Sequence, residues 1–330
     1  MDEVYLITGV TGFLGCTLAK ALIARGKKVV GLRLPQDKEH LLSEVEYQIG
    51  DITKPYTLSG FFKQAEGKRA VLIHCAGIVT VASGDGRLVR KVNVDGTKHI
   101  VDLAMRHQID RFLYVSSVHA IKEEADGTII KETTRFSPDS VKGIYGKSKA
   151  EATAYVLGAA QQGFHAMVVH PSGMIGPEDD SGGYMTETIR AFLKGRFPAA
   201  VEGGYDFVDV RDVAEGIIRC AEHGRQGETY ILSNRYITVK EMFEILGILR
   251  GKPKKYRTVP LKMLTPFAPL VEKVERKRGL PLLITPYSLY TLGSNGNFSH
   301  EKADRELGYS VRPIERTLAD MTAWILDQGV

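Results

Sequence analysis

Val4-Tyr5-Leu6-Ile7-Thr8-Gly9-Val10-Thr11-Gly12-Phe13-Leu14-Gly15 decides how this chain folds. Its apolar, β-branched start reads as a buried strand and its glycines as a tight turn. The run through Cys16, Leu18, Ala19, Lys20, Leu22 and Ile23 reads as a helix. A dinucleotide pyrophosphate needs this order. The glycines let backbone approach the phosphates, while the free N–H groups and positive end of the helix face the anion. The spacing is Gly-x-x-Gly-x-x-Gly, not the Gly-x-Gly-x-x-Gly of the common fingerprint. Glycines here could also serve only the packing of helix on strand; the flanking strand and helix favour a cofactor turn.

Further strands are predicted at 29–34, 70–76, 111–116 and 165–170, with helices at 58–64, 88–108 and 145–161. Such alternation predicts an α/β fold: a Rossmann, doubly wound parallel sheet with helices on both faces. Its ligands lie beyond the carboxyl ends of the strands. We expect a dinucleotide-binding domain over 1–170, to which 206–235 returns. A smaller, mainly helical substrate lobe takes 171–205 and 236–330, with a glycine-rich loop at 178–184.

The bulk numbers exclude several classes. With 330 residues, 43% hydrophobic and 25% charged, the composition is that of a globular protein. The net charge of +5 comes from basic residues scattered among acids, which is not a nucleic-acid footprint. No apolar run is long enough to span a membrane. The first strand starts almost at the N-terminus, so a cytoplasmic location is expected. Cys16, Cys75 and Cys220 lack metal-ligand spacing and are expected to be buried, reduced thiols. The basic run 273–278 reads as a solvated helix face. Residues 261–270 and 280–284 are more apolar than a surface needs. We expect a pocket wall or dimer contact there rather than a peripheral membrane patch.

Tyr145 and Lys149 stand at i and i+4, on one face of a helix. A free tyrosine, with a pKa of about 10, is a poor proton shuttle at neutral pH. A nearby cation lowers it, so the pair can act as a general acid/base. Such pairs are also common on exposed helices. Upstream, the strand ending in Ser116-Ser117 sets hydroxyls beyond the sheet edge, to bond a carbonyl oxygen or merely cap a turn.

Together these pieces resemble the extended short-chain dehydrogenase/reductase family, over nearly the whole chain. The matching residues are 8–15, Gly50-Asp51-Ile52, His74-Cys75-Ala76-Gly77, Asn93 through Thr97, Ser116-Ser117, Tyr145 through Lys149, Pro171 through Pro177, Asp206 through Ala214, Lys302-Ala303 and Glu306 through Tyr309. The resemblance implies Tyr145 as general acid in reduction and Lys149 as the cation that lowers its pKa and binds the nicotinamide ribose. Ser117 would polarise the substrate carbonyl, and Asn93 would support the proton relay. Gly9, Thr11, Gly12, Phe13, Leu14 and Gly15 would form the phosphate turn. Asp51 and Ile52 would border the adenine, and Ala76, Gly77, Pro171 and Gly173 would line the cofactor. A homodimer is a family expectation.

The second strand ends in Arg33, whose guanidinium can pair with a 2′-phosphate, where an acid would favour a free hydroxyl. NADP (NADPH) is therefore expected, with NAD possible if Asp37 serves the ribose instead. Sugar-nucleotide enzymes of the family usually carry Arg-x-x-Asn after the sixth strand; here His170 and Gly173 stand at those positions. The stretch looks more like dihydroflavonol reductases and 3β-hydroxysteroid dehydrogenases, which implies apolar, cyclic ketones or alcohols. Candidate walls are Val79, Val81, His119, Tyr184, Met185, Tyr205 and Phe207. The expected function is an NADPH-dependent ketone reductase. The alternatives are a sugar-nucleotide epimerase or dehydratase with bound NAD, and a non-enzymatic cofactor sensor.

Overall fold

The computed structural model describes residues 2–39 and 41–329. The chain begins with β1 (Glu3–Thr8), β2 (Lys28–Arg33), β3 (Glu46–Ile49), β4 (Arg69–His74), β5 (Arg111–Val115) and β6 (Ala166–Pro171); all but β3 follow the sequence pattern. With the strand Thr229–Leu232 they form one parallel sheet, ordered Thr229–Leu232, β6, β5, β4, β1, β2, β3. The strand order reverses between β1 and β4. That switch point opens a crevice above the carboxyl edge, into which the turn after β1 projects. The Rossmann fold expected from the sequence is the fold observed.

Two apolar layers hold the sheet. The helices Phe13–Ile23 and Val210–His223 cover one face through Leu14, Leu18, Val213 and Ile217. The helices Ser59–Lys63, Thr97–Arg106 and Ile144–Gln161 cover the other through Phe61, Ile100, Val101 and Val156. Residues Ala303, Leu307 and Tyr309 join the first layer, so this stretch packs on the dinucleotide side although the expected boundary put it in the lobe. The lobe has its own core, built on a sheet of Gly173–Ile175, Gly204–Asp209 and Arg235–Thr238. Of the expected return segment 206–235, the helix Val210–His223 and the strand Thr229–Leu232 reach the central sheet. Gly204–Asp209 instead pairs within the lobe.

Several local readings change. The predicted helix 88–108 carries a π-helical turn, Lys91–Gly96. Such bulges mark sites where one residue must be re-aimed. Tyr184 starts a helix, Tyr184–Leu193, directly after the glycine-rich loop. Cys220 is buried, but Cys16 and Cys75 are only half-buried. Among the described residues no helix is long and apolar enough to cross a membrane, and no His/Cys/Asp/Glu group could hold a metal.

Candidate active site

The turn after β1 fits a dinucleotide. Gly9 has φ +69°, and a Cβ there would lie 2.7 Å from the Ala76 nitrogen. A Cβ on Gly15 would lie 2.1 Å from the Gly9 oxygen, so helix and strand touch as backbone. At Gly12 a Cβ would meet only the Gly9 oxygen, at 3.4 Å. This glycine therefore keeps space open rather than packing tight. Gly12 is also the N-cap of Phe13–Ile23, with no side-chain cap and no acid in the first turn. The uncapped N–H groups there suit a pyrophosphate.

A cavity of about 550 Å³ lies past the ends of β2 and β3, lined by Leu34–Gln36, Ile49–Asp51, Thr53 and the start of the helix after Gly86. Asp51 lines it. Ile52 does not: it is buried against Gly96, and its carbonyl accepts from His99 Nδ1 at 2.8 Å. Arg33 curls over its own loop, donating to the Asp37 carbonyl at 2.9 Å, and its Nε is buried without a partner. Thr11 Oγ1 donates to the Asp37 carboxylate at 2.9 Å.

Tyr145, Lys149, Ser117 and Asn93 converge at the ends of β4 and β5 and are all buried. The helix Ile144–Gln161 carries the first two. Lys149 Nζ donates to the Val115 carbonyl at 2.8 Å and stands 4.8 Å from the centre of the Tyr114 ring. A Cβ on Gly77 would come within 3.5 Å of Nζ and 3.2 Å of Asn93 Oδ1, so a larger residue would crowd both groups. From the π-helical turn, Asn93 accepts from the Ile78 nitrogen at 2.7 Å and donates to the Ile78 carbonyl at 2.9 Å and Ser148 Oγ at 3.0 Å. It clamps the loop after β4 to the helix of Tyr145.

The acid–base balance differs from the sequence expectation. Burial pushes the Tyr145 phenol up to about 12, opposed in part by a hydrogen bond from Ser117. Burial pushes Lys149 down to about 8, opposed in part by Cys75. Lys149 does not lower the phenol, because its ammonium is turned to the Val115 carbonyl. At neutral pH the phenol holds its proton.

Beside Tyr145 lies a second cavity, of about 380 Å³, whose lining includes Val118, His119, Tyr205, Tyr287, Tyr290 and Phe298. His119 is central. Its ring meets Tyr145 edge-on at 5.9 Å and stacks on Tyr205 at 5.4 Å. Its Nε2 is 3.2 Å from the Tyr205 hydroxyl and its Nδ1 is 3.1 Å from that of Tyr287. Burial holds this imidazole down at about 4, neutral at physiological pH. The structure thus brings the expected wall residues His119 and Tyr205 together. It does not bring Val79, which is 70% exposed, nor Tyr184, whose hydroxyl instead donates to the Leu283 carbonyl at 2.8 Å. Tyr287 and Tyr290 went unnoticed in the sequence, on a short helix far from every motif.

Gly173 is half-buried at the start of the lobe strand Gly173–Ile175. A Cβ there would lie 2.7 Å from the Phe207 ring and 3.0 Å from the Asp206 carbonyl. The place is filled by the lobe core, and Pro171 is buried at the end of β6.

Two buried histidines near the site give a pH signature. His74 sits between Thr8 Oγ1 at 2.6 Å and Thr97 Oγ1 at 3.0 Å. His170 stacks on Phe136 and bonds the Ser117 carbonyl through Nδ1 at 3.0 Å. Burial drives them from 6.5 to about 3 and about 4. Below pH 6.5 the unfolded chain binds protons that the folded one refuses, so stability is full above that pH and falls as pH drops towards 4. We expect a loss of about 2 kcal/mol per histidine between pH 7 and pH 5, read by urea unfolding. An equal loss in the His74→Asn/His170→Asn variant would sink this attribution.

A parallel sheet with a glycine turn at its switch point and a buried Tyr–Lys–Ser–Asn cluster defines a dinucleotide-dependent enzyme of the extended short-chain dehydrogenase/reductase type. The model of the NAD dependent epimerase/dehydratase family matches residues 5–233, and the chain belongs to that family. Such enzymes bind NAD(P) and work at CH–OH and ketone groups. A Synechocystis protein provisionally named dihydroflavonol 4-reductase is 30% identical, over 100% of this chain and 96% of its own. Sterol demethylase protein B of Methylococcus capsulatus is 29% identical, over 98% and 99%. The crystal structure of gox2253 superposes with a TM-score of 0.85 at 31% identity, covering 99% of both chains.

Proposed function

We propose that this protein is an NADPH-dependent reductase of an apolar, cyclic ketone, reversible as an alcohol dehydrogenase. The observation that carries the reading is the pairing of a protonated Tyr145 phenol, bonded by Ser117, with an aromatic-walled cavity. Ser117 and Tyr145 hold the substrate carbonyl oxygen. Tyr145 delivers the proton to that oxygen as the carbonyl carbon is reduced. Lys149, still largely charged at neutral pH, is the residue that would hold the nicotinamide ribose beside Gly77. Asn93 keeps the Gly77–Ile78 loop in place while the proton moves. When bound, NADPH supplies the hydride.

The Synechocystis relative's name points to ketone reduction on a ring system, and the Methylococcus relative's name to sterol chemistry. Gly173, walled off by Phe207, offers a sugar nucleotide no amide donor. The orphaned Arg33 Nε supports a 2′-phosphate partner and hence NADP(H). The test is NADPH oxidation driven by a panel of flavanone-like and steroid ketones, with UDP-glucose epimerisation as counter-assay. Ketone-dependent oxidation is expected; epimerisation without it would overturn the reading.

A further inference from the structure

We propose that the helical arm 261–277 is a membrane-surface anchor, seated on bilayers that carry anionic lipid. The arm runs through Leu261–Leu264, Thr265–Phe267 and Ala268–Lys277. Met263, Phe267, Leu270 and Val274 follow at steps of four, three and four, which puts them on one stripe of the helix. They are 59%, 63%, 62% and 41% exposed. None belongs to any of the apolar cores. The sequence suggested a pocket wall or dimer contact here rather than a membrane patch, but these side chains line neither cavity. The inward face carries Ala268 and Glu272 instead.

The charge around the stripe is one-sided. Lys262, Lys273, Lys277 and Arg278 are exposed, and Arg276 is exposed but paired with Glu272 at 2.7 Å. The two acids of the arm turn away. Glu272 is buried, accepting from the Ser83 nitrogen at 2.8 Å and Oγ at 2.9 Å. Glu275 is half-buried, facing the Ile284 nitrogen. The preceding segment adds Arg250, Lys252, Lys254, Lys255 and Arg257 with no acid. Residues 248–281 thus hold ten Lys/Arg and two Glu, a net +8; the whole chain is +5, so the remainder is −3.

An apolar stripe flanked by cations matches the headgroup boundary of an anionic bilayer. The stripe enters the acyl edge and the lysines and arginines meet phosphates. A second copy is a poor occupant, because a two-fold contact through this face would set Lys262, Lys273, Lys277 and Arg278 against their own copies. The arm is also tied to the site. Glu272 grips Ser83, and Thr285 Oγ1 donates to the Val81 carbonyl at 2.8 Å. The next helix, Pro286–Leu292, brings Tyr287 and Tyr290 to the cavity. The arm is thus bonded to the same 81–83 segment as the helix that lines the cavity. The inference does not depend on which substrate is reduced.

The test is flotation of the full chain with phosphatidylcholine vesicles, with and without phosphatidylglycerol. Flotation is expected only with phosphatidylglycerol, weakening as salt rises. Lys273→Gln/Lys277→Gln should lower the partition coefficient about 30-fold. Phe267→Ser/Leu270→Ser should abolish flotation with the melting temperature unchanged. No flotation on phosphatidylglycerol vesicles, or flotation indifferent to both variants, would overturn the proposal. So would a solution dimer that Phe267→Ser/Leu270→Ser splits, since the stripe would then be a self-contact.

Discussion

Tyr145→Phe should cut ketone-dependent NADPH oxidation by roughly 10²–10⁴-fold, the range for losing a positioned general acid. Binding of NADPH should hold within about twofold, because the substitution removes one hydroxyl and leaves the ring packed. The ring stands edge-on to His119 and is 8% exposed, so phenylalanine fills the same space. What disappears is a phenol whose proton burial keeps in place up to about 12. Steady-state kinetics with a fluorescence titration of NADPH separates the two quantities. An unchanged rate would remove Tyr145 from the chemistry. A rate loss matched by an equal loss of cofactor affinity would make its role structural.

Gly15→Val should be the most damaging change in the cofactor turn. The first added carbon would lie 2.1 Å from the Gly9 oxygen and 2.8 Å from both the Gly9 carbonyl carbon and Val10 Cα. All three are backbone, so no side chain can swing aside; the helix must lift from β1. We expect a loss of about 3 kcal/mol or more in urea unfolding, at the upper end of overpacking costs, and no measurable NADPH binding. Gly12→Ala is the control. Its carbon meets only the Gly9 oxygen, at 3.4 Å, with φ −81°. The fold should keep its stability while NADPH affinity falls, because the methyl stands where phosphate must approach the helix. Equal destabilisation by both changes would mean that the turn is purely a packing device.

The glycine turn, the strand order and the Tyr145–Lys149 pair were legible because each depends on near neighbours in sequence. A strand–turn–helix fits in about twenty residues, and i,i+4 fixes a shared face. What escaped notice depends on distant residues. Tyr287 reaches His119 across 168 positions, and no periodicity announces such a meeting. The edge strand β3 is half-exposed and has no apolar run to read. The π-helical turn that re-aims Asn93 keeps the hydrophobic spacing of an ordinary helix. Gly173 stands where the family's asparagine would, but nothing near it in sequence tells that Phe207 takes the space beside it. Met263, Phe267 and Leu270 show the opposite limit: their apolar character was plain, but only the fold reveals that nothing covers them.

In the proposed reductase, Arg33 and the glycine turn hold NADP(H) in a site not made for sugar nucleotides. Thermal melting of the protein with NADPH, NADH and UDP, repeated on Arg33→Ser, tests it most directly, since a ligand that binds only the folded state raises the melting temperature by mass action. We expect a larger shift with NADPH than with NADH, none with UDP, and loss of the NADPH advantage in Arg33→Ser. A preference for NADH with a further shift from UDP would contradict it and move the protein to the sugar-nucleotide enzymes.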